Sequence, residues 1–570
     1  MPWGPYLFPP LGAWGTPAWP WNYQSGVPVI DLEAHKGKAL LLRAQVRDVT
    51  NVVTFGPLPP AGVMEDLTWS WRGALTTVWP GATIERSSRG DDSPADIYVG
   101  DTLETSVNFG RMLFNGADPR NNTTTTEGVI ELIDPRGFLE HLYNYSWDGA
   151  LLTFYRGDAD APLSTFGMVA QFTGAVLMGD VNVKAIRTRD LGWKLEGLIH
   201  DERYDGLGGL GGGEALQGKW KPYGIGYFFN VEPVPLDTAN EVFQWSWTPS
   251  QTVIAIKHGG VVLVVSADYP TYEELVAASI PLGQCATCKA NSIFRTNFDI
   301  EFGLRVDALG DSNTLLGHVT PEIRAEIARR IATGYGESKL NEVTEVDVDA
   351  FAKVAQDHPE ECGWWWGEET TKAAALNEIM VGILGYWHVR PNGQLAIGYM
   401  GAQDPELSFG EIEYGDHGMD GIEILDETIP WPATLMGWRR NYAPQARDQL
   451  AGSVQVDEAT AAVLGAEFSA AVSSDQSVNQ MYPTAKPATI MGNYLFEVDA
   501  VVGANRIQAL MGVPRRRYGV NMEVDAFADI VDRVATFVNF NRLKLGDSSF
   551  LTCVGIDSNG FGKVTTHWWG

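Results

Sequence analysis

The cysteines are the first residues of this sequence whose spacing could support chemistry. Cys285 and Cys288 form a CxxC pair, a spacing with which two thiolates can bind one metal ion. Cys362 and Cys553 could complete a four-thiolate metal or iron–sulfur site. The alternative is four ordinary thiols, because four cysteines in 570 residues make no disulfide scaffold and the pair lacks the frame of a redox motif. The spacing favours ordinary thiols, and we predict no cofactor.

Acidic pairs are a second possible source of chemistry. A glycosidase needs two carboxyl groups roughly 5–10 Å apart across a cleft. With 71 acidic residues in the chain, however, adjacent acids arise by chance, and no HExxH or G-x-S-x-G motif accompanies them. We therefore predict that the chain is not an enzyme. The pairs are Glu360-Glu361, Glu368-Glu369, Glu411 with Glu413, and Asp416 with Asp420.

A glycine-rich run from Gly206 to Gly213 contains a literal G-x-G-x-x-G pattern. That pattern binds a dinucleotide only between a strand and a helix whose N-terminus faces the phosphates. Here the following residues run to Pro222 and are too rich in breakers to form that helix. The segment is predicted to be a linker over residues 206–222.

Two clusters could instead act in assembly. The run Trp364-Trp365-Trp366 predicts packing within the chain, a subunit interface or glycan binding, because three adjacent indoles on a strand cannot all face one core. The run Arg515-Arg516-Arg517 follows a predicted helix. It could balance local charge at the helix end or pair with the acidic surface of a neighbour.

The N-terminal segment is rich in proline and tryptophan and is predicted to be an extended arm over residues 1–25. It would drape across a neighbouring subunit or pack on its own domain. It has neither the basic start nor the cleavage site of a secretory signal. The tryptophans concerned are Trp3, Trp14, Trp19 and Trp21.

The net charge of −30 excludes several classes of partner. Tight binding to nucleic acid needs clustered lysine and arginine, and an anionic membrane surface would repel this chain. No apolar run approaches the roughly 18 residues of a membrane span. The charge predicts either a highly soluble protein or a wall to which passing DNA does not bind.

Glycine, proline and aromatic residues are frequent, which favours strands and turns. We predict a mainly β, multidomain chain with an α+β middle region and a few short helices. Beyond the arm and the linker, the predicted domains are β domains at 26–130 and 131–205, a small β domain at 223–300, an α+β domain at 301–429 and a barrel-like β domain with two helices at 430–570.

Local signals place several elements. His258-Gly259-Gly260 predicts a hairpin, and Asp148-Gly149 predicts a turn between two strands. Thr320 is predicted to cap a helix running to Gly334, and Asp347 or Asp349 to open a second. Further helices are predicted at 272–278, 369–384, 457–472 and 498–511, and a hairpin is predicted at Pro391-Asn392-Gly393.

The order of several segments resembles that of siphophage and prophage tail-tip proteins, which are similar to baseplate hubs. The resemblance covers most of residues 130–570. The segments that carry it are 131–157, 218–231, 391–395, 437–442, 514–518 and 568–570, which begin respectively at Glu131, Gly218, Pro391, Gly437, Pro514 and Trp568.

The resemblance implies a hub-like component of the phage tail tip or baseplate, with tail-hub-type β-barrels or sandwiches and three copies per assembly. Its partners would be distal-tail and tail-tube proteins, the tape-measure protein, and tail fibres or receptor-binding proteins. It would be made in the bacterial host cytoplasm, lie at the distal end of the virion tail and form part of the DNA exit channel. The alternative is a tail protein that binds or hydrolyses glycans on the host surface.

Overall fold

The computed structural model of the chain is described at the following residues, to which every structural statement below refers. These are 38–48, 64–72, 83–84, 98–100, 103–120, 127–133, 139–158, 166–180, 182–313, 320–401, 408–413, 421–522, 529–538, 549–559 and 564–570.

The first part of the chain is β structure. Its strands are β1 (Lys38–Asp48), β2 (Met64–Arg72), β3 (Thr83–Ile84), β4 (Tyr98–Gly100), β5 (Leu103–Met112), β6 (Glu127–Ile133), β7 (Tyr145–Asp158), β8 (Gly167–Gly179) and β9 (Val183–Arg189).

Residues 223–310 form two small sheets. Their strands and helix are β10 (Tyr223–Val231), β11 (Val234–Asp237), β12 (Val242–Gln244), β13 (Ser250–His258), β14 (Val261–Val262), β15 (Val265–Asp268), α1 (Tyr272–Ala277), β16 (Cys285–Cys288), β17 (Ile293–Thr296) and β18 (Leu304–Gly310).

The helices concentrate between residues 324 and 511. The elements of this part are α2 (Arg324–Thr333), α3 (Val348–Asp357), β19 (Gly363–Trp366), α4 (Lys372–Val381), β20 (Gly385–Val389), β21 (Leu395–Tyr399), β22 (Ser408–Glu413), β23 (Gly421–Glu427), β24 (Ala433–Trp438), α5 (Gly452–Gln455), α6 (Glu458–Gly465), β25 (Ser469–Ser474), α7 (Gln476–Met481), β26 (Ala488–Tyr494) and α8 (Glu497–Met511). The last strands are β27 (Arg516–Met522), β28 (Val534–Val538), β29 (Ser549–Asn559) and β30 (Val564–Trp569).

One sheet of 15 strands joins both ends of the described chain. Its strand order is β23-β27-β30-β29-β5-β6-β9-β8-β7-β1-β2-β4-β3, and β28 pairs with both β29 and β22. The junction between the two parts is the antiparallel pairing of β29 with β5. Beneath it, the indole N–H of Trp569 donates to the Ala117 carbonyl over 2.8 Å. This sheet therefore depends on residues that are very far apart in sequence.

The remaining strands form smaller sheets between which the helices lie. Two five-stranded sheets have the orders β14-β13-β18-β10-β19 and β11-β12-β17-β16-β15. A three-stranded sheet of order β25-β24-β26 carries α8, and β20 pairs with β21. Helices α2, α3 and α4 pack together around Ile327, Ile331 and Leu376, which are buried. The prediction of a mainly β, multidomain chain with an α+β middle region is confirmed.

The predicted barrels are not closed among the residues that the structure describes. The strand order of the large sheet has two ends, and none of its described strands pairs back to complete a ring. The domain boundaries proposed from the sequence remain a prediction.

Several local predictions are confirmed. Asp347 caps α3 by accepting a hydrogen bond from the backbone of Ala350, and α4 lies within the helix predicted over 369–384. The structure adds a cap at Thr371, whose side chain accepts from the backbone of Ala374. Gly259 and Gly260 both have positive φ, at 55° and 85°, as the tight turn between β13 and β14 requires.

Three local predictions are wrong for reasons of strand pairing. The helix predicted from Thr320 begins at Arg324, because Ile323 bridges to Glu361 as a strand. The helix predicted over 457–472 ends at Gly465, because residues Ser469–Ser474 pair with β24. The turn at Asp148-Gly149 lies inside the continuous strand β7 as an irregularity, which Gly149 accommodates with a φ of 77°.

Candidate functional site

The tryptophan run lies inside the chain rather than on its surface. Strand β19 pairs with β10 and separates two hydrophobic cores. Trp364 and Trp366 pack into the core formed with α2 and α4, whereas Trp365 faces the core of the neighbouring sheet. The indole N–H of Trp365 donates to the Trp245 carbonyl over 2.7 Å. Both faces of the strand are thus covered by other parts of the chain, which supports packing within the chain. A subunit interface or glycan binding at this run stays a prediction.

The arginine run also makes contacts within the chain. The Nε of Arg515 donates to the Leu510 carbonyl at the end of α8 over 2.7 Å. Arg516 binds both carboxylate oxygens of Glu427, over 3.2 and 3.1 Å. Arg517 pairs across strands with Asp426 in the same sheet. These contacts support the interpretation of local charge balance at the end of a helix.

The four cysteines do not come together. Cys285 and Cys288 lie on one strand but face different cores, because two residues that are three positions apart on a strand point to opposite sides. Cys362 and Cys553 are buried in two further cores. Burial raises the pKa of Cys285 to about 11 and that of Cys362 to about 12. A shared four-thiolate site is therefore not formed. The interface candidates Trp3, Trp14, Trp19 and Trp21 lie outside the described residues.

A buried ionic cluster joins the α+β middle region to the large sheet. Arg390 follows β20 and contacts three carboxylates, at 2.5 Å from Asp347 and 3.2 Å from both Asp529 and Asp532. His388 lies 3.2 Å from Asp532. Burial opposes the ionisation of Asp532, but Arg390 and His388 outweigh it and lower its pKa to about 2. Asp347 also caps α3, so one guanidinium fixes a helix start against the C-terminal strands.

A second buried network lies directly after β18. The carboxylate of Asp311 accepts hydrogen bonds from Tyr335 over 2.8 Å and from Tyr223 over 3.1 Å. Arg330 on α2 lies 3.2 Å from the same carboxylate. Burial raises the pKa of Asp311, and Arg330 and the two hydroxyls counteract this. Both networks therefore join side chains from separate elements of the chain.

His200 is a third buried polar residue. Its ring stacks on Trp220 with centroids 5.9 Å apart, and its Nε2 lies 2.8 Å from the Glu368 carbonyl. The indole of Trp220 also contacts Arg203, whose guanidinium carbon lies 3.7 Å from the ring centroid. Burial lowers the pKa of His200 to about 4. The histidine is therefore neutral at physiological pH.

Two surface patches consist of exposed apolar side chains, and the sequence did not predict either of them. One set lies on β13, β14 and β15, and a second lies on the outer side of α8. The run Val-Val-Leu-Val-Val at 261–265 is visible in the sequence, but a short apolar run does not show whether its strand is buried. Exposed consecutive apolar residues are unusual in a folded protein unless something binds them.

Among the residues that the structure describes, no three His, Cys, Asp or Glu side chains are grouped as metal ligands. Within the same residues, no helix combines the length and apolar character needed to cross a membrane.

No family model matches the chain, and no curated protein sequence is significantly similar to it. Several solved structures match this chain over most of their own length. The 43 kDa tail protein of prophage MuSo2 from Shewanella oneidensis has 9% sequence identity and a TM-score of 0.31, with 84% of this chain and 97% of that chain covered. A tail protein from Neisseria meningitidis MC58 has 7% identity and a TM-score of 0.35, with coverages of 83% and 93%.

A chain of the virion of a native gene transfer agent particle has 9% identity and a TM-score of 0.35, with 62% of this chain and 84% of that chain covered. Tail and virion proteins are the class that the order of sequence segments indicated.

Proposed function

We propose that this chain is a structural component of a bacteriophage tail tip or baseplate. In this role it is hub-like, assembles as a homotrimer, and links the tail tube to fibres or receptor-binding proteins. The observation that carries the proposal is the contrast between its interior and its surface. Buried charges at Arg390 and Asp311 hold elements of the chain together, whereas two sets of exposed valines have no covering element in the described part of the chain.

The order of segments in the sequence supports the same class. A chain whose polar networks bind its own elements and whose surface carries exposed apolar patches is suited to permanent association, because obligate interfaces resemble a core cut in half. The expected neighbours are the distal-tail and tail-tube proteins and the tape-measure protein. The protein is expected to be made in the host cytoplasm and to end at the distal tail of the particle.

The net charge of −30 suits a second part of the role. A trimer around the tail axis would form part of the channel through which DNA leaves, and a wall of like charge keeps DNA from binding it. A structure of the assembled particle tests this point. A neutral or basic lumen would contradict it.

Localisation in particles is the direct test of the proposed function. An antibody raised against the purified chain, visualised with gold on intact particles, is expected to label the tail end away from the head. Label on the head, along the tube or only in the unassembled fraction would contradict the proposal. Incubation of the purified protein with host envelopes and peptidoglycan is the companion measurement. Release of sugars there would favour the glycan-hydrolysing alternative.

A further inference from the structure

Strand β25 has a free edge that is regular and uncharged, and we call it the β25 edge (Ser469–Ser474). The strand ends the three-stranded sheet of order β25-β24-β26, and it contains no charged residue and no proline. It pairs with β24 over its whole length, from Trp438 opposite Ser469 to Ala433 opposite Ser474, without a bulge. Proteins usually protect sheet edges with charges, prolines or bulges, so an edge that lacks all three indicates a binding surface.

Three residues of the β25 edge direct their backbone N–H and C=O groups away from the sheet. In an antiparallel pair, alternate residues exchange hydrogen bonds with the partner strand, and the residues between them point outward. Asp475, directly after the strand, donates its backbone N–H to the Pro432 carbonyl over 2.9 Å, which sets this alternation. The outward residues are therefore Ala470, Val472 and Ser474, and all three are exposed. No backbone hydrogen bond from elsewhere in the described part of the chain reaches them.

The same sheet is covered on one face and at its other edge. Helix α8 packs on β24 and β25, and Ala471 between the exposed residues of β25 is buried. The edge at β26 is closed by a bridge from Tyr494 to Cys362. On the remaining face, the side chain of Val472 is 60% exposed. A strand added beside β25 would therefore satisfy the free backbone groups and cover this valine at the same time.

Carboxylates lie at both ends of the β25 edge. Glu467 precedes the strand by two positions and Asp475 follows it directly, and both are exposed. Hydrogen bonds from the hydroxyl and the backbone of Ser477 lower the pKa of Asp475, which therefore stays ionised. Arg440 also interacts with Glu467, but its guanidinium is already bound by Glu378. The surface is thus an uncharged strand with a carboxylate at each end.

These charges disfavour the chain itself as the occupant. If two copies paired through β25 about a twofold axis, Glu467 of each copy would lie opposite or beside Asp475 of the other, and like charges in such positions are destabilising. The first 34 residues of the chain contain no lysine or arginine, whereas they include Asp31 and Glu33. Neither a second β25 nor this segment supplies positive charge for the two ends.

We propose that the β25 edge binds an extended segment of a different protein, which becomes the fourth strand of this sheet. The backbone of that segment pairs with the outward groups of Ala470, Val472 and Ser474, and its apolar or β-branched side chains cover Val472. Lysine or arginine residues about eight positions apart in the segment pair with Glu467 and Asp475, because neighbouring strands rise by the same length per residue. The inference goes beyond the proposed tail-tip role and does not depend on it.

A labelled synthetic peptide tests the surface on the intact chain. Its sequence, KTVTVTVTK, alternates threonine and valine between two lysines, and fluorescence anisotropy follows its binding. The peptide is expected to bind saturably. The same peptide with glutamate at both ends should bind more weakly by roughly 5-fold or more, since its charges repel both carboxylates. Glu467→Lys should reduce this preference for the lysine peptide.

Two variants at one position separate the backbone from the side chain. Val472→Pro removes an outward N–H but no hydrogen bond to β24, and proline is tolerated where the N–H of an edge strand faces solvent. It should weaken binding of the lysine peptide by roughly 5-fold or more. Val472→Thr is the matched control, because it keeps the N–H and the β-branched shape, and it should stay within about 3-fold of the wild type. Circular dichroism checks folding, and Val472→Lys replaces the proline variant if that variant unfolds.

The inference is overturned if the wild-type chain does not bind the lysine peptide, if the glutamate peptide binds equally well, or if Val472→Pro binds like Val472→Thr. A wild-type dimer in light scattering that becomes a monomer in Val472→Pro would assign the edge to a second copy instead. Gold labelling of particles tests the proposed function separately, so either result can fail without the other.

Discussion

Individual charged side chains are taken into the interior of this protein at a few places, and each place joins segments that are distant in sequence. Arg390 meets carboxylates from α3 and from residues 529–532. Removing one partner of such a cluster leaves another charge buried without full compensation, which costs more than the pair contributes when intact. These residues therefore give sharp tests of the fold.

Asp532→Asn is expected to reduce the free energy of unfolding at pH 7 by about 2–3 kcal/mol. The pKa of Asp532 is depressed to about 2 in the folded chain, so its contribution is present above about pH 4 and is lost as the pH falls toward 2. The wild type and the variant should therefore differ less in their free energy of unfolding, measured by urea denaturation, as the pH falls from about 4 toward 2. Asp148→Asn, at an exposed ion pair with Arg189, is the control and should change stability by less than about 1 kcal/mol. A difference that is independent of pH would contradict this assignment.

His200 gives a prediction in a different pH range. Burial lowers its folded pKa to about 4, so protonation favours the unfolded chain as the pH falls from about 6.5 to 4. The wild type should lose about 3 kcal/mol over this range through His200 alone. In His200→Gln that part of the loss should disappear, as measured by denaturation at a series of pH values. The control is His141→Gln, at an exposed histidine, and it should keep the wild-type dependence of unfolding free energy on pH. If His200→Gln keeps that dependence as well, His200 does not titrate in this way.

Strands and helices show which parts of the fold the sequence could predict. The caps Asp347 and Thr371 and the turn at Gly259-Gly260 were predictable because the causes are local. The start of α2 was not, because the pairing of Ile323 with Glu361 overrides the cap at Thr320. Strand β14 was predictable as a strand but not as an exposed one, since exposure depends on which strands come to lie beside it.

Gly226 in β10 tests the packing of the tryptophan strand. Its φ is 65°, and an added Cβ would lie 2.3 Å from the Cys362 carbonyl oxygen and 2.9 Å from Gly363. Gly226→Ala is expected to destabilise the chain by at least about 3 kcal/mol, as seen in thermal or urea unfolding. Gly208→Ala is the matched control, because φ there is 93° but nothing lies within 4 Å of the added atom. It should cost only about 1–2 kcal/mol of backbone strain. Equal losses of stability in Gly226→Ala and Gly208→Ala would mean that β10 and β19 can move apart to accommodate the added Cβ.

The molecule as a whole depends on one sheet assembled from both parts of the chain. The hydrophobic core beneath it contains Leu42 and Phe154 from the first part and Trp568 and Trp569 from the last. The sequence predicted β structure in both parts, yet no local signal specified that β29 would pair with β5. Pairings between remote strands are set by the sum of many side-chain contacts, which a local pattern does not record.

Deletion of residues 564–570 is expected to disrupt the large sheet and to spare the two five-stranded sheets. Strand β30 lies between β27 and β29, so its loss leaves one edge of each of these strands unpaired and removes two buried indoles. Hydrogen exchange should accelerate in β5, β27 and β29 and stay slow in β10 and β18. A mutation confined to the exposed side, Thr565→Ser, serves as the control. Uniformly faster exchange would indicate a single cooperative unit.

The hydrogen bond between Trp569 and Ala117 spans 452 positions, and this has a consequence for biosynthesis. At roughly 5–20 residues per second, the ribosome needs about 20 to 90 seconds to synthesise the chain between Ala117 and its partner Trp569. During that time the nascent N-terminal strands have an unpaired edge at β5, which makes them a natural client for chaperones. A message cut short before codon 549 would yield a polypeptide that cannot finish its largest sheet, so incomplete copies are excluded from assembly by their own instability.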